Sequence, residues 1–436
     1  MNLGISKLAQ SISFFFVACL ITWIIPNYFS YYTETLAQVS STRQIIYTLW
    51  HGISFLIFGE MVGISDNRSP RFSVRHLLAF LLASFLASLS LLLIVWLLEF
   101  EFIGRLAILK IAGLTGLFCF LLQGFFYWVA GKNKPKCLLL ISSGSKREIK
   151  KELHDRSLKL YQWVDFFDEK KPTNLVNFCI ENEISLLVVE KDGESKEIDV
   201  IGLLGGGTRI INLMEFWENH LERIPPHLVD RNWLAKLDLR MRDPLMHRIK
   251  RFMDIVVGIL GLLFFLPILI PAILIIALDT GFPVFFSQKR TGFLGSEYIL
   301  YKLRTMKKDA EKSGAEWAKE EDLRVTKAGR FFRKWRIDEI PQFWNVICGE
   351  MSIVGPRPER PEFQPKLQKE VPHWNCRHLV KPGMTGWAQI RYRYASDLIA
   401  SEQKLAYDLY YVKNTSFALD FEIILSTLRA IGKGSR

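Results

Sequence analysis

Residues 252–278 read FMDIVVGILGLLFFLPILIPAILIIAL, an apolar run with Pro267 and Pro271 near its middle. The run is long enough for a helix to cross the hydrocarbon core of a bilayer, which takes about 20 residues. Each proline lacks a backbone N–H, and its ring clashes with the carbonyl of the preceding turn. We therefore expect the helix to kink or break at the two prolines.

Basic residues flank this run on both sides. They are Arg242, Arg248, Lys250 and Arg251 before it, and Lys289, Arg290 and Lys302 after it. A simple span would leave one basic flank on the outer side of the membrane, against the positive-inside rule. We predict a re-entrant helix over 252–278 that dips into one leaflet and returns, and we keep a kinked span as the alternative.

Four further apolar runs fill the first third of the chain, at 12–29, 45–64, 77–98 and 106–130. Each is near the length of a membrane-spanning helix. Lys and Arg are concentrated after the second and fourth runs, which directs those two connections to the cytoplasm. The sequence predicts a four-helix transmembrane domain over 1–132, with the chain from 132 onward in the cytoplasm.

Residues 137–235 alternate apolar strand-like runs with polar helical stretches. This pattern is typical of a small Rossmann-like α/β domain. A dinucleotide site would need a GxGxxG turn between strand and helix. The turn after the first strand offers only Gly144, and the spacing of Gly205–Gly207 is wrong. We expect a degenerate domain with a structural or interaction role.

Composition narrows the function classes. Half of the 436 residues are hydrophobic and 13% are aromatic, which excludes a disordered protein and favours membrane segments. The six cysteines form no CxxC pair, so neither a zinc site nor a disulfide framework is indicated. Residues 240–436 contain 32 Lys and Arg against 21 Asp and Glu, which is +11 of the chain's +12. The targets of this surplus are nucleic acid, anionic lipid or phosphorylated substrates.

The charge is densest just before an acidic pair, Asp338-Glu339, which Pro341 follows. The cations are Arg324, Lys327, Arg330, Arg333, Lys334 and Arg336. Proline is favourable in a first helical turn, so we expect the pair where one helix ends and another begins. Ion pairing on a solvated helix face is one interpretation. The other is a phosphate site in which one carboxylate attacks phosphorus and the other holds Mg²⁺.

Constrained segments nearby carry more polar groups. Two strand-like segments and two stiff turns supply Gln288, Arg290, Lys302, Arg304, Arg357 and Thr385. Each segment alone is a weak signal, because Pro-Gly and Gly-Pro pairs mostly mark ordinary turns. Together they supply several cations on rigid backbone beside the proline-containing helix.

A series of motifs occurs in a fixed order over about 247–431. They are KRxxD from Lys250, the proline-containing apolar helix, PVFFSQKRTG, YKLRTM, RIDEIPQFWNVICGEMSIVGPRPE, KPGMTGWAQI and YDLYYVKNTSFALDFEIILSTL. In this order they resemble the bacterial sugar transferase family, the polyprenyl-phosphate sugar-1-phosphate transferases. The leading helices and the degenerate α/β domain resemble the larger members of that family. The implied catalytic domain is α/β and covers 247–436.

The resemblance implies transfer of hexose-1-phosphate from a UDP-sugar to undecaprenyl phosphate, with release of UMP. Asp338 matches the nucleophile, Glu339 the Mg²⁺ ligand and Asp408 a further active-site carboxylate. Arg333, Arg357 and Lys302 match residues of the family that contact phosphate or substrate. We add five polar residues near them in the same motifs as substrate contacts: Arg304, Gln288, Arg290, Arg336 and Thr385. Asp338 is assigned to the metal as well. The implied partners are membrane lipids and a second copy in a homodimer, and nucleic acid is not among them.

Arg336 departs from the family pattern, which often has a small hydroxyl residue there. Its side chain is expected on phosphate or on lipid headgroups. Arg251 and Asp254 are expected to form a structural ion pair. For the C-terminal stretch Phe417–Ile431, a surface helix on the bilayer and core packing are equally good interpretations.

The resulting prediction is a multi-pass protein of the bacterial inner membrane with its active site at the cytoplasmic face, acting in exopolysaccharide or O-antigen synthesis. Two rival functions are a non-enzymatic scaffold of polysaccharide assembly and a membrane-bound, NAD-dependent nucleotide-sugar dehydratase. The dehydratase would need a complete glycine fingerprint and a Tyr-x-x-x-Lys pair in 137–235, and the set is incomplete there. No residue distinguishes glucose, galactose or an N-acetyl sugar.

Overall fold

The computed structural model describes most of the chain. The described residues are 7–32, 41–62, 64, 74–98, 105–130, 136–141, 145, 149, 161–164, 175–190, 199–230, 233–234, 244–307, 324–392 and 398–432. They form two compact units, Met1–Leu221 and Glu222–Arg436.

The first unit begins with four long helices that match the four predicted apolar runs to within two residues at their C-terminal ends, or extend beyond them. These are α1 (Lys7–Tyr32), α2 (Ser41–Val62), α3 (Val74–Leu97) and α4 (Arg105–Ala130). Each packs against its neighbours in sequence, and α1 also packs against α4, so they form a four-helix bundle. Phenylalanines from all four helices fill its core, with Phe14 and Phe80 in edge-to-face contact at 5.3 Å.

Length and composition make three of these helices candidate membrane spans. The spans are Thr42–Val62, His76–Leu97 and Leu106–Phe126, and a fourth candidate is Pro244–Thr280 in the second unit. The described apolar part of α1 is shorter, Gln10–Ile25. The chain therefore has the helices of a membrane protein. A bundle of four spanning helices stays a prediction for α1.

An α/β layer completes the first unit. Its strands are β1 (Lys136–Leu140), β2 (Gln162–Trp163), β3 (Ile184–Val189) and β4 (Arg209–Asn212). Its helices are α5 (Leu175–Glu181), α6 (Val200–Gly205) and α7 (Leu213–Phe216), followed by a π-helical turn at Trp217–Leu221. The four strands are parallel in the order β2–β1–β3–β4, as expected for an α/β domain.

The glycine run lies at a helix end. Gly206 follows α6 as its C-cap, and Gly207 has a positive φ of 84°, which suits glycine. A dinucleotide fingerprint would instead join a strand to a helix, so Gly205–Gly207 is a helix stop. The other candidate turn, residues 142–144, lies outside the described residues.

The second unit contains one very long helix, α8 (Pro244–Thr280), with Pro267 and Pro271 inside it. We expected a kink or a break at these prolines. The helix is continuous through both, so it does not break, and a kink stays a prediction. Re-entry into one leaflet remains a prediction.

The second unit also contains short strands and helices. The strands are β5 (Phe285–Thr291), β6 (Glu297–Leu303), β7 (Ser352–Val354) and β8 (Gly383–Thr385). The helices are α9 (Lys327–Lys334), α10 (Gln342–Cys348), α11 (Gln364–Glu370), α12 (Trp387–Arg391), α13 (Leu398–Asn414) and α14 (Phe417–Gly432). β5 and β6 form an antiparallel hairpin, and β7 pairs in parallel with β8.

Polar contacts fix the N-terminal half of α8. Arg251 donates to the carbonyls of Val346 and Ile347, both at 2.6 Å, and thus caps the C-terminal end of α10. Asp254 is buried and accepts from the Ser352 hydroxyl and the Ile353 N–H, both at 3.0 Å. Both residues have structural roles, but the predicted ion pair between them is wrong.

The C-terminal helix α14 has two different faces. Leu419 and Ile423 are fully buried, whereas Phe421 and Leu428 are exposed. Core packing is therefore correct for one face. Contact with a bilayer stays a prediction for the other face.

Replacing the buried Asp254 by alanine is expected to destabilise the protein by about 2 kcal/mol, because two buried donors lose their acceptor. For a unit of this size, the melting temperature should fall by roughly 5 °C in detergent. Asp279→Ala is the matched control, since Asp279 is an exposed aspartate on the same helix. Equal melting temperatures for the two variants would contradict this role for Asp254.

Candidate functional site

The acidic pair lies between two helices, as the sequence predicts. Helix α9 begins at an N-cap where the Thr326 hydroxyl accepts from the Gly329 N–H at 2.9 Å. A short 3₁₀ turn, Ile337–Glu339, then carries the pair into α10. The preceding residue, Arg336, is left-handed with φ 57°, a conformation that L residues rarely adopt. This sharp reversal turns both carboxylates inward, and Asp338 and Glu339 are buried.

Glu339 is the electrostatic centre of the site. Its Oε1 lies 3.1 Å from Lys302 Nζ, 3.3 Å from an Arg336 Nη1 and 2.8 Å from Arg357 Nη2. Burial alone would raise the pKa of Glu339, but Lys302, Arg357 and Arg336 outweigh it and hold the pKa well below its usual range. Glu339 is therefore ionised at neutral pH.

Asp338 is in a different state. Burial and the adjacent Glu339 charge raise its pKa, and Lys302, Arg333 and Arg336 only partly offset them. Its Oδ1 is buried and makes no hydrogen bond with any described residue. A buried acceptor without a donor is costly, and such atoms usually await a ligand, ion or water. One carboxylate of the pair is thus held by cations, and the other has an oxygen available for chemistry.

Four cations surround the two carboxylates. Lys302 is buried, which lowers its pKa, while the charge of Glu339 raises it and partly compensates. Arg333 donates through Nε to the Thr305 hydroxyl at 2.9 Å and adds its charge to Asp338. With Arg336 and Arg357, the shell exceeds the two carboxylates by two positive charges. Such a shell suits a phosphate-bearing ligand.

The turn that presents Arg357 is held from two sides. Arg290 donates to the Pro358 carbonyl at 3.0 Å and to Gln288 Oε1 at 2.7 Å. Arg377 donates to the Arg357 carbonyl at 2.8 Å. Gln288 and Arg290, expected as substrate contacts, therefore support the backbone of this turn.

Asp408 is not beside the acidic pair. It is fully buried on α13 and lies 2.8 Å from Arg377. Arg377 is itself buried and stacks on the Trp374 ring, 4.4 Å from its centroid. Asp408 thus reaches the site only through Arg377 and the Arg357 turn. An active-site role for Asp408 stays a prediction, and the contact that the structure shows runs through Arg377.

Two other expected residues also point elsewhere. Arg304 Nη1 reaches the Gly281 carbonyl after α8, at 3.4 Å. The Thr385 hydroxyl pairs with the Thr427 hydroxyl on α14 at 2.6 Å. The structure therefore brings Lys302, Arg333, Arg336 and Arg357 to the carboxylate pair and leaves Arg304 and Thr385 in supporting positions.

Sequence reasoning missed Arg377. It lies in an unremarkable NCRHL stretch, and no local motif marks its pairing with Asp408, 31 positions later. Only the fold brings the two together.

The available donors fit a hard cation that shares its shell with phosphate. Among the described residues, no group of three or more His, Cys, Asp or Glu side chains could hold a metal by itself. Mg²⁺ often binds through one or two carboxylates, with substrate phosphates and waters completing its shell. The orphaned Asp338 Oδ1 and the ionised Glu339 supply oxygen donors of this kind.

A buried acidic pair inside a cationic shell, on a unit that carries a long apolar helix, is the arrangement expected of a membrane protein that binds phosphate groups. The Bacterial sugar transferase family matches residues 245–434. An uncharacterized sugar transferase EpsL of Bacillus subtilis (strain 168) is 40% identical over 183 residues, 42% of this chain and 87% of that protein. The chain belongs to the bacterial sugar transferase family.

Two other relatives are longer than the Bacillus subtilis protein, and their names state their substrates. A UDP-N-acetylgalactosamine-undecaprenyl-phosphate N-acetylgalactosaminephosphotransferase of Aeromonas hydrophila is 41% identical over 196 residues, 44% of this chain and 46% of that protein. A UDP-glucose:undecaprenyl-phosphate glucose-1-phosphate transferase of Escherichia coli (strain K12) is 38% identical over 182 residues, 41% of this chain and 39% of that protein. The chain thus matches less than half the length of each.

Asp408 should make stability depend on pH. Burial raises its pKa from 3.8 to about 6, and Arg377 opposes the shift only in part. The folded chain therefore holds this proton more tightly than the unfolded chain, and the group costs stability as pH rises from about 4 to above 6. The full cost is about 3 kcal/mol, of which about 1 kcal/mol falls between pH 5 and pH 7.

We expect wild type to lose this stability relative to Asp408→Asn, whose side chain does not titrate. The measurement is the melting temperature of both proteins in detergent at pH 5, 6 and 7. A difference that is independent of pH, or that favours wild type as pH rises, would contradict the assignment.

Proposed function

We propose that this protein transfers a sugar-1-phosphate from a UDP-sugar to undecaprenyl phosphate and releases UMP. The proposal rests on the different environments of the two carboxylates in the acidic pair. Glu339 is ionised and held by three cations, whereas Asp338 has a buried, unpartnered oxygen. Membership of the sugar transferase family and the printed activities of the named relatives support the same reaction.

The first step is attack by an Asp338 carboxylate oxygen on the sugar-bearing phosphorus of the donor. A new O–P bond forms to Asp338, the P–O bond to UMP breaks, and UMP leaves with the bonding electrons. An aspartyl phospho-sugar remains on the enzyme. Asp338 must be ionised for this step. Its raised pKa predicts that activity falls as pH falls and the carboxylate takes up a proton.

The second step returns Asp338 to its starting state. A phosphate oxygen of undecaprenyl phosphate attacks the same phosphorus, and the bond to the Asp338 carboxylate breaks. The product is a lipid diphosphate sugar. Lys302, Arg333, Arg336 and Arg357 would stabilise the charge on the phosphoryl oxygens in both steps, because positioned cations need little reorganisation during reaction.

Mg²⁺ would be held by Glu339 and Asp338 together with donor phosphate oxygens. When bound, it would neutralise phosphate charge and make UMP a better leaving group. The chain's own residues would orient the diphosphate, and the excess of two positive charges in the shell would favour its binding even before the metal contributes.

The packing of α8 supports the re-entrant prediction. Residues before the prolines contact α10, with Phe265 stacked on Phe343 at 6.2 Å. Residues after them, including Ala272 and Ile276, join a core with Ile340. Residues on both sides of the prolines thus belong to one hydrophobic cluster with Ile340 and Phe343. This shared packing supports our proposal that α8 does not cross the bilayer.

We place the active site at the cytoplasmic face of the bacterial inner membrane, because basic residues flank α8 on both sides. The multi-pass bundle would anchor the enzyme, and the Rossmann-like layer would act as a structural or interaction domain. A homodimer is part of the same proposal. The pathway would be exopolysaccharide or O-antigen synthesis.

The donor sugar is not decided, and both an N-acetyl sugar and a simple hexose are candidates. The names of the relatives include both N-acetylgalactosamine and glucose donors. UMP release from a panel of UDP-sugars with undecaprenyl phosphate therefore decides the donor. A scaffold without activity would release no UMP with any donor, and a dehydratase would consume the donor without forming a lipid-linked product.

Asp338→Asn should abolish UMP release, because the amide is a poor nucleophile and cannot form the aspartyl intermediate. The assay uses purified protein in detergent with the best donor of the panel. Asp279→Asn, an exposed carboxylate on α8, is the control and should retain wild-type turnover. Substantial residual turnover in Asp338→Asn would remove Asp338 from the nucleophile's role.

Chelation by EDTA should stop the reaction, and added Mg²⁺ should restore it. Glu339→Gln should raise the Mg²⁺ concentration needed for half-maximal rate, because it removes a charged ligand. Full activity in EDTA would contradict the role of Glu339 as a Mg²⁺ ligand.

A further inference from the structure

The segment 222–228, here called the strap, precedes the residues that match the family but belongs to the second unit. The Ile224 N–H donates to the Ala406 carbonyl on α13 at 2.9 Å. Arg223 donates to Gln403 Oε1 at 3.1 Å. Ile224 and Arg223 are both buried. The sequence pattern grouped these residues with the middle domain, yet their contacts are those of the catalytic unit.

Glu222 is the anchor of the strap. Its carbonyl accepts from Trp387 Nε1 at 2.9 Å, and its buried carboxylate accepts from Arg391 at 2.7 Å. The Arg391 guanidinium also lies over the Trp387 ring, 4.3 Å from its centroid. Glu222 is left-handed with φ 52°. A non-glycine residue is kept in this conformation only where its surroundings over-determine it, and such residues cluster at functional sites.

Trp387 is the first residue of α12 and follows β8, which is hydrogen-bonded to the backbone just before Arg357. The Thr385 carbonyl accepts from the Gly355 N–H at 2.9 Å, and the Gly383 N–H donates to the Pro356 carbonyl at 2.9 Å. Arg357 is the next residue. A shift of Trp387 would therefore be transmitted over one or two hydrogen bonds to the backbone that aims Arg357 at Glu339.

We propose that Glu222 is a positioning residue for the Arg357 turn and acts through Trp387 and Arg391. The inference rests on the proposed function only for its effect on turnover, since Arg357 is the group that would contact phosphate. The mechanical part concerns the hydrogen bonds of residues 352–357 with residues 383–387. This part can be tested on the folded protein without any substrate.

The charge on Glu222 matters as well as its backbone. Arg391 also lies 3.9 Å from Glu422 on α14. When the Glu222 carboxylate is removed, Arg391 keeps this second partner and is expected to turn toward it. The guanidinium would then leave the Trp387 face, and the turn would lose its side support. Glu222→Gln retains an acceptor for Arg391 and should preserve the arrangement.

The direct test is amide hydrogen exchange of the whole protein without substrate. In Glu222→Ala, the amides of Gly355 and Gly383 should exchange several-fold faster than in wild type, and in Glu222→Gln close to the wild-type rate. The control is Glu402→Ala. Glu402 pairs with His227 of the same strap at 3.9 Å, and both side chains are partly exposed, so that variant should leave both amides unchanged.

The second readout is UMP release. Glu222→Ala should lower kcat about tenfold with little change in the KM for the donor, because displacement of a positioned cation mainly affects the transition state. Glu222→Gln should restore most of the rate, and Glu402→Ala should match wild type. A merely structural role would lower the yield of folded protein but leave kcat per folded molecule intact.

The outcomes are distinguishable. If wild type releases no UMP with any donor, the proposed function fails, and the exchange data alone decide the role of Glu222. If exchange at Gly355 and Gly383 is unchanged in Glu222→Ala, the inference is overturned whatever the activity. If exchange rises but kcat does not fall in an active enzyme, Glu222 supports the fold and not the reaction, and the inference is again overturned.

Discussion

The convergence of three cations on one oxygen of Glu339 is the interaction on which the site depends. A buried carboxylate is costly unless it is paired, and Lys302, Arg336 and Arg357 supply this pairing from three separate segments. Lys302 comes from a strand, Arg336 from a left-handed residue, and Arg357 from a proline-rich turn. Each segment therefore has to be fixed independently, and several buried or partly buried contacts of the second unit do so.

Those contacts form a shell behind the site. Arg290 and Arg377 hold the Arg357 turn from opposite sides, and Asp408 in turn holds Arg377. Arg251 on α8 caps the C-terminal end of α10, the helix that follows the acidic pair. This contact joins the site to α8. Because Arg377 and Asp408 are both buried, loss of either one would leave an unpaired charge in the interior, which is far more damaging than loss of a surface ion pair. The arrangement favours one rigid geometry around the carboxylates.

Local features of the site were predictable, and long-range ones were not. The apolar runs, the position of Asp338-Glu339 between two helices, and the cations beside it follow from short stretches of sequence. The pairing of Asp408 with Arg377 does not, because it depends on how separate helices pack. For the same reason Arg304 and Thr385 turned out to support the fold. The helix α8 runs through both prolines, because a proline can kink a helix without ending it, and the sequence alone does not decide between a kink and a break.

The central claim is that Asp338 carries the sugar phosphate between donor and lipid. The most direct measurement is the intact mass of the purified enzyme after incubation with its UDP-sugar and Mg²⁺ but without lipid acceptor. We expect an added mass equal to one sugar phosphate, localised by peptide mapping to Asp338 and discharged when undecaprenyl phosphate is added. UMP formation that requires the lipid acceptor, with no adduct on the enzyme, would contradict it and indicate direct transfer.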